Sequence, residues 1–277
     1  MLGVLLWRTG TDPFARGVAA ATPGVLLVGL LVGTVVTGCC AWRWRAIGRA
    51  LGAPVVAAAA VRAVYRSQFL NSVLPGGVVG DVDRGVRHGR ETGDLPRSLR
   101  VVVWDRVAGQ VVQAALAVVV LLTLPSPVPR ALVLTGGLAL ATGVVAATRL
   151  RGPRALLTAR TAPGVVLAST VAVAGHVTTF LVAARGAGVS APTLQLLPLA
   201  LVVLLAAGLP VNVAGWGPRE GAAAWAFAAA GLGAEQGLAT AVLHGVMSFV
   251  AGLPGLVVLV HPPAYGVRPA IGVDGRG

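Results

Sequence analysis

The chain has 277 residues, of which 56% are hydrophobic and 11% charged, with a mean hydropathy of +0.84. Soluble domains carry roughly a quarter charged residues, so the composition excludes a soluble enzyme and predicts one all-α, polytopic transmembrane helix bundle. The net charge of +13 comes from 22 Arg, no Lys and 9 acids; because the arginines fall in short loops between apolar runs, they mark membrane orientation, and no nucleic acid partner is expected.

Residues 1–17 read as an N-terminal stub: Leu2 to Trp7 is apolar but too short to span and lacks a small-residue cleavage site, as the tail of a truncated first helix would. The transmembrane domain is expected over 18–260. Apolar runs able to cross a hydrocarbon core of ~30 Å lie at roughly 22–42, 103–124, 131–148, 163–184, 192–209 and 236–260, which predicts about six full spans. Segments 51–72, which carries Arg62 and Arg66, and 221–234, which is short, are predicted to be re-entrant or broken helices. Loops 43–66 and 149–160 hold five and four Arg with no acid, whereas 125–130 and 185–191 hold one each. The positive-inside rule therefore places 43–66, 84–100 and 149–160, with Arg151 and Arg154, in the cytoplasm and Pro127 outside. Complete use of Arg in place of Lys fits a GC-rich bacterial gene, hence a bacterial plasma membrane. Trp42, Trp44 and Tyr65 are placed as interfacial anchors. The tail 261–277, rich in Pro and Gly with no apolar face, is expected to be disordered.

Two distant segments carry the same interrupted pattern, Leu74-Pro75-Gly76-Gly77-Val78-Val79-Gly80-Asp81-Val82-Asp83-Arg84 and Leu209-Pro210-Val211-Asn212-Val213-Ala214-Gly215-Trp216-Gly217-Pro218-Arg219-Glu220. Each opens Leu-Pro, has Gly five residues after the Pro and reaches Arg nine residues after it. Pro and Gly break helices, and the freed amides are tolerated at membrane depth only inside protein or beside a wet cavity. Such paired breaks point to an internal pseudo-repeat and a transport site. Arg84 and Arg219 are the candidate phosphate ligands, because the guanidinium fork holds a phosphate with two hydrogen bonds. Gly76, Gly77, Gly80, Gly215 and Gly217 would let backbone amides approach it, and Asp81 stands within the first loop. Glu220 would accept a cationic headgroup or neutralise a neighbouring Arg. The competing reading of the loops is interfacial turns with snorkelling arginines. Arg106, Gln110 and Gln113, at i, i+4 and i+7, form a polar stripe that must face the bundle or the lipid path. His244, in the span after the second loop, is a further candidate for the groove.

Together with Ala41-Trp42-Arg43-Trp44-Arg45, Tyr65-Arg66-Ser67-Gln68-Phe69-Leu70-Asn71 and Trp104-Asp105-Arg106, these motifs resemble, in order and over about residues 20–260, the transmembrane region of lysylphosphatidylglycerol synthases, a family of flippase-like membrane proteins. The resemblance implies a lipid translocase moving an anionic phospholipid or polyprenyl phosphate between leaflets, with no cofactor and with envelope-biosynthesis proteins as candidate partners. In bifunctional members a separate soluble domain makes aminoacylated phosphatidylglycerol from aminoacyl-tRNA; these 277 residues do not include it. His244 stands where relatives often have Arg.

Two other classes compete. One is a non-transporting accessory subunit of a lipid or envelope-glycan pathway. The other is a membrane-embedded transferase, since Asp81-Val82-Asp83 has the Asp-x-Asp spacing that holds a divalent metal against a diphosphate. No metal is expected: His176 and His244 lack ligand spacing, and adjacent Cys39 and Cys40 cannot form a metal knuckle.

Overall fold

The computed structural model describes residues 11–148, 158, 160–209 and 216–260. The first ten residues, Arg151, Arg154, Pro210 to Gly215 and the tail from 261 lie outside them, so the expectations for the stub's start, that loop, Gly215 and the tail fall outside the described residues. The described residues form helices and no β-strand: α1 (Asp12–Ala19), α2 (Pro23–Ala50), α3 (Ala57–Val73), α4 (Val79–Thr92), α5 (Leu95–Thr123), α6 (Arg130–Thr148), α7 (Ala162–Gly186), α8 (Thr193–Ala207), α9 (Pro218–Ala229), α10 (Ala234–Gly252) and α11 (Pro254–Val260).

Four of these segments are long and apolar enough to cross a bilayer: α2, α5, α7 and the continuous stretch Ala234–Val260. The expectation of six full spans is corrected at 192–209, where α8 has 15 residues and so a length of about 22 Å, short of the ~30 Å core. Its sequence is apolar because Leu196, Leu199, Ala200 and Val203 are packed inside protein, not because they face lipid across a full span. α6 is the other shorter apolar helix, with Leu132, Leu134 and Leu138 exposed on its surface. α1 straddles the expected boundary at 17/18: it packs on α10, and Arg16 pairs with Glu235 at 2.6 Å.

The helices fall into two equivalent sets, α2–α5 and α7–α10, each running long, short, broken loop, short, long. Every packing in one set has its counterpart in the other. α2 packs on α3 and α5 as α7 packs on α8 and α10; α3 on α4 and α4 on α5 as α8 on α9 and α9 on α10. Between sets, α5 lies on α7 and α8 as α10 lies on α2 and α3. Each set buries its own apolar core, around Trp44, Ile47 and Val101 in the first and Phe180, Leu199 and Phe227 in the second. At the centre α2 packs against α7, and the two run antiparallel: Trp42 abuts Gly164, Arg43 meets Ser169, Val36 abuts Gly175 and Val25 lies near Gly186. Equivalent helices that run antiparallel are related by an axis perpendicular to them, so the two halves are inverted-topology repeats.

Gly80 and Trp44 depart from their expected roles. A Cβ at Gly80 would strike the Ser67 carbonyl, so this glycine serves the close approach of α4 to α3. Trp44 is fully buried, with the guanidinium of Arg84 4.7 Å from its ring centroid, and so is not an interfacial anchor; Trp42 is exposed.

The inverted arrangement predicts that the starts of α2 and α7 lie on opposite faces of the membrane. In a Cys39→Ala/Cys40→Ala background, Gly24→Cys should label from outside and Arg160→Cys from the cytoplasm. Labelling of both from one side contradicts the inverted repeats.

Candidate functional site

The first broken loop is held by a buried network of ions. Asp105 on α5 accepts from Arg43 Nε of α2 through Oδ1 at 2.8 Å and from Arg84 Nη2 of α4 through Oδ2 at 3.1 Å. Arg84 Nη2 also donates to Asp81 Oδ1 at 3.1 Å, while Arg106 Nε lies 3.3 Å from Asp81 Oδ2. Ser67 and Asn71 of α3 donate to the two oxygens of Asp81, and Asn71 Oδ1 receives the Gly80 amide at 2.8 Å. Three guanidiniums against two carboxylates leave one positive charge in this cluster. Burial opposes ionisation of nearby Asp83, but hydrogen bonds from Arg66 and Arg87 outweigh it and hold the carboxyl below its ordinary range.

The second loop is pinned at its exit by Glu220, which is fully buried. Its Oε2 receives the Gly217 amide at 2.6 Å, and its Oε1 receives Arg219 Nε and Nη2 at 2.8 and 2.6 Å. This is one half of a capping box at the start of α9, the bond from the third helical residue back to the N-cap amide, with Pro218 at the first turn and Gly217 at φ +126°. The guanidinium of Arg219 lies over the Trp216 ring at 5.6 Å and against the bare face of Gly245 on α10.

A cavity of about 760 Å³ opens between the repeats, lined by both loops and by residues of α2, α3, α5, α7, α8, α9 and α10. Arg106 and Arg219 stand on its wall with Gln68, Asn71, His176 and Ser248, among apolar residues such as Val36 and Phe249. Arg106 is 34% exposed and anchored by Nη2 to the Gly77 carbonyl at 3.1 Å. Gln110, one turn along α5, reaches the Gly208 carbonyl before the second loop at 3.5 Å. The polar stripe of α5 therefore faces inward and touches both breaks; Gln113 Nε2 is buried there without a partner.

The sequence candidates separate accordingly. Arg84 does not line the cavity: its side chain is 3% exposed and held between Asp81 and Asp105 over Trp44, so the expected pairing of Arg84 with Arg219 in one cavity is replaced by Arg106 with Arg219. The physical reason is that Arg84 faces an acid on α5, whereas Arg219 faces Gly245 on α10. Gly77 lines the cavity, with φ +59° after Gly76 at φ +92°, whereas the amides of Gly80 and Gly217 are already bonded within the protein. Asp81 and Glu220 are both spent on arginines. His244 is buried with both ring nitrogens unpartnered, its ring 5.7 Å from that of Phe180. Asp105, Gln68 and His176 were not singled out as site residues from sequence. An acid inside an apolar helix was the available signal for Asp105. Among the described residues no three His, Cys, Asp or Glu side chains converge as a metal site.

Two outcomes follow for stability. Asp105→Asn leaves Arg43 and Arg84 without their shared counter-charge and should cost about 3–5 kcal/mol, read as a lowered melting temperature in detergent. Burial holds the His88 imidazole below its ordinary value, against a hydrogen bond to the Pro54 carbonyl that favours its protonated form. A depressed histidine contributes stability that is complete above the unfolded value of about 6.5 and lost as pH falls below it. Melting temperature should thus drop between pH 7.5 and 5.5, and His88→Gln should flatten that drop.

No match to a curated protein or to a solved structure was found. Residues 1–160, which contain the whole first repeat, its loop and the Asp105 cluster, match the family described as the lysylphosphatidylglycerol synthase TM region. The chain is a multi-pass integral membrane protein whose described residues are helical, and it belongs to the lysylphosphatidylglycerol synthase TM region family.

Proposed function

We propose that this protein is a lipid translocase: it carries a phosphate-bearing lipid, an anionic phospholipid or polyprenyl phosphate, between the leaflets, with Arg106 and Arg219 receiving the phosphate. One observation carries the reading: two arginines from opposite repeats stand on the wall of a single cavity between two broken loops. An unpaired phosphate is costly at membrane depth, so a path across the bilayer has to supply charge and donors. Arg106 brings the surplus positive charge of the Asp81–Asp105 cluster to the cavity, and Arg219 keeps Nη1 outside its pairing with Glu220. Gln68, Asn71 and Ser248 add polar groups, while the apolar walls suit the first part of a lipid chain. The volume of about 760 Å³ falls within the ~300–1,000 Å³ of ligand pockets, so the acyl or prenyl chains stay in the bilayer while the headgroup passes.

The reading assigns no covalent chemistry to the chain. Asp81 and Asp83, whose spacing suits a metal-dependent transferase, are engaged by different sets of donors: Ser67, Asn71, Arg84 and Arg106 for the first, Arg66 and Arg87 for the second.

The test separates phosphate recognition from charge anchoring. With purified protein in liposomes, Arg106→Lys and Arg219→Lys keep the charge but lose the fork, each forfeiting a charge-assisted hydrogen bond of about 1.5–3 kcal/mol. Translocation should fall at least ~10-fold in each. Arg62→Lys, at an exposed position, should be silent. Full activity in both cavity variants would defeat the proposed site.

A further inference from the structure

The cavity wall carries cations and no acid. Of the 9 acids in the sequence, Asp274 alone falls outside the described residues, and none of the others lines the cavity. The acids nearest to it are already engaged by the protein: Asp81 accepts from Ser67, Asn71 and Arg84 and pairs with Arg106, while Glu220, fully buried, accepts from Gly217 and twice from Arg219. Segment 210–215, which joins α8 to Trp216, contains no acid in its sequence. A phosphate entering this space meets two guanidiniums. An ammonium entering it meets the same two guanidiniums on the wall, while their partners Asp81 and Glu220 stand behind them and no carboxylate faces the space, in surroundings of low dielectric where like charges repel strongly.

We infer that the cavity selects a lipid whose headgroup carries a phosphate and no amine, and discriminates against aminoacylated headgroups. The inference rests on the transport reading above and narrows its substrate class. It also assigns Gln68 as a specificity-determining position: this residue lines the cavity, and its Oε1 accepts from Thr37 Oγ1 at 3.0 Å, so a carboxylate there keeps the acceptor and adds the missing charge.

The experiment follows tracer lipids across phosphatidylcholine vesicles holding the purified full chain, with a parallel measurement of binding for each tracer. The tracers are phosphatidylglycerol, a polyprenyl monophosphate and lysylphosphatidylglycerol. Phosphatidylglycerol or the polyprenyl phosphate should cross, and bind, at least ~10-fold better than the lysyl lipid, and Gln68→Glu should narrow that ratio. If the lysyl lipid crosses and binds as well as phosphatidylglycerol, the selectivity is overturned while transport stands. If no tracer crosses, the transport reading is overturned, and the binding ratio alone decides the headgroup preference. Displacement of bound phosphatidylglycerol by millimolar inorganic phosphate would assign the site to a free anion and overturn the lipid class.

Discussion

The carboxylate of Asp105 holds the first repeat together. It sits on α5, and each oxygen takes an arginine from a different helix, Arg43 of α2 and Arg84 of α4. Removing such ions from water costs several kcal/mol each, and the loss is recovered only where geometry is good and the remaining donors are occupied. Here Arg43 also reaches Ser169 of α7, and Arg84 lies over Trp44. The chain of contacts continues from Arg84 to Asp81 and from Asp81 to Arg106, so the guanidinium on the cavity wall is positioned through a series of buried ion pairs that begins at α2. Ordering of the α3–α4 loop depends on the same links, through Asn71 to Asp81 and Gly80, and through Arg106 to the Gly77 carbonyl.

The second repeat copies the packing but not the charges. Arg219 stands nine residues after its proline as Arg84 does, yet α10 presents Gly245 where α5 presents Asp105. Without that acid, Arg219 turns to the adjacent Glu220, which also caps α9, and keeps 11% of its side chain exposed beside the cavity. One symmetric backbone thus places a neutralised arginine in one half and a cavity-facing arginine in the other. The cavity-facing role in the first half passes to Arg106, one residue from the acid that holds Arg84.

What could be read from sequence divides along physical lines. Helix content, inward orientation of the Arg106–Gln110–Gln113 stripe and the two breaks follow from period and from Pro and Gly, which act locally. The choice between Arg84 and Arg106 does not, because it turns on which arginine meets Asp105 across a helix interface. Span count fails for a related reason: hydropathy records removal from water, and α8 is removed from water by α7, α9 and α5 as fully as lipid would do it. Trp44 shows the same limit, since a tryptophan beside arginines reads as an interface anchor until Arg84 is found stacked on it within the core.

α6 precedes α7 and packs on α5 as α1 precedes α2 and packs on α10, and it carries a surface of exposed leucines. Its significance is one of parity. Within each repeat the two long helices cross and the broken pair returns to the side it entered, so a repeat ends on the face where it began. Two such units joined directly would point the same way. A single intervening crossing reverses the second, and α6 is the segment available to make it. The helix with the least packing thus bears on the feature on which the cavity depends, the inverted order of the repeats that brings Arg106 and Arg219 to a shared interior.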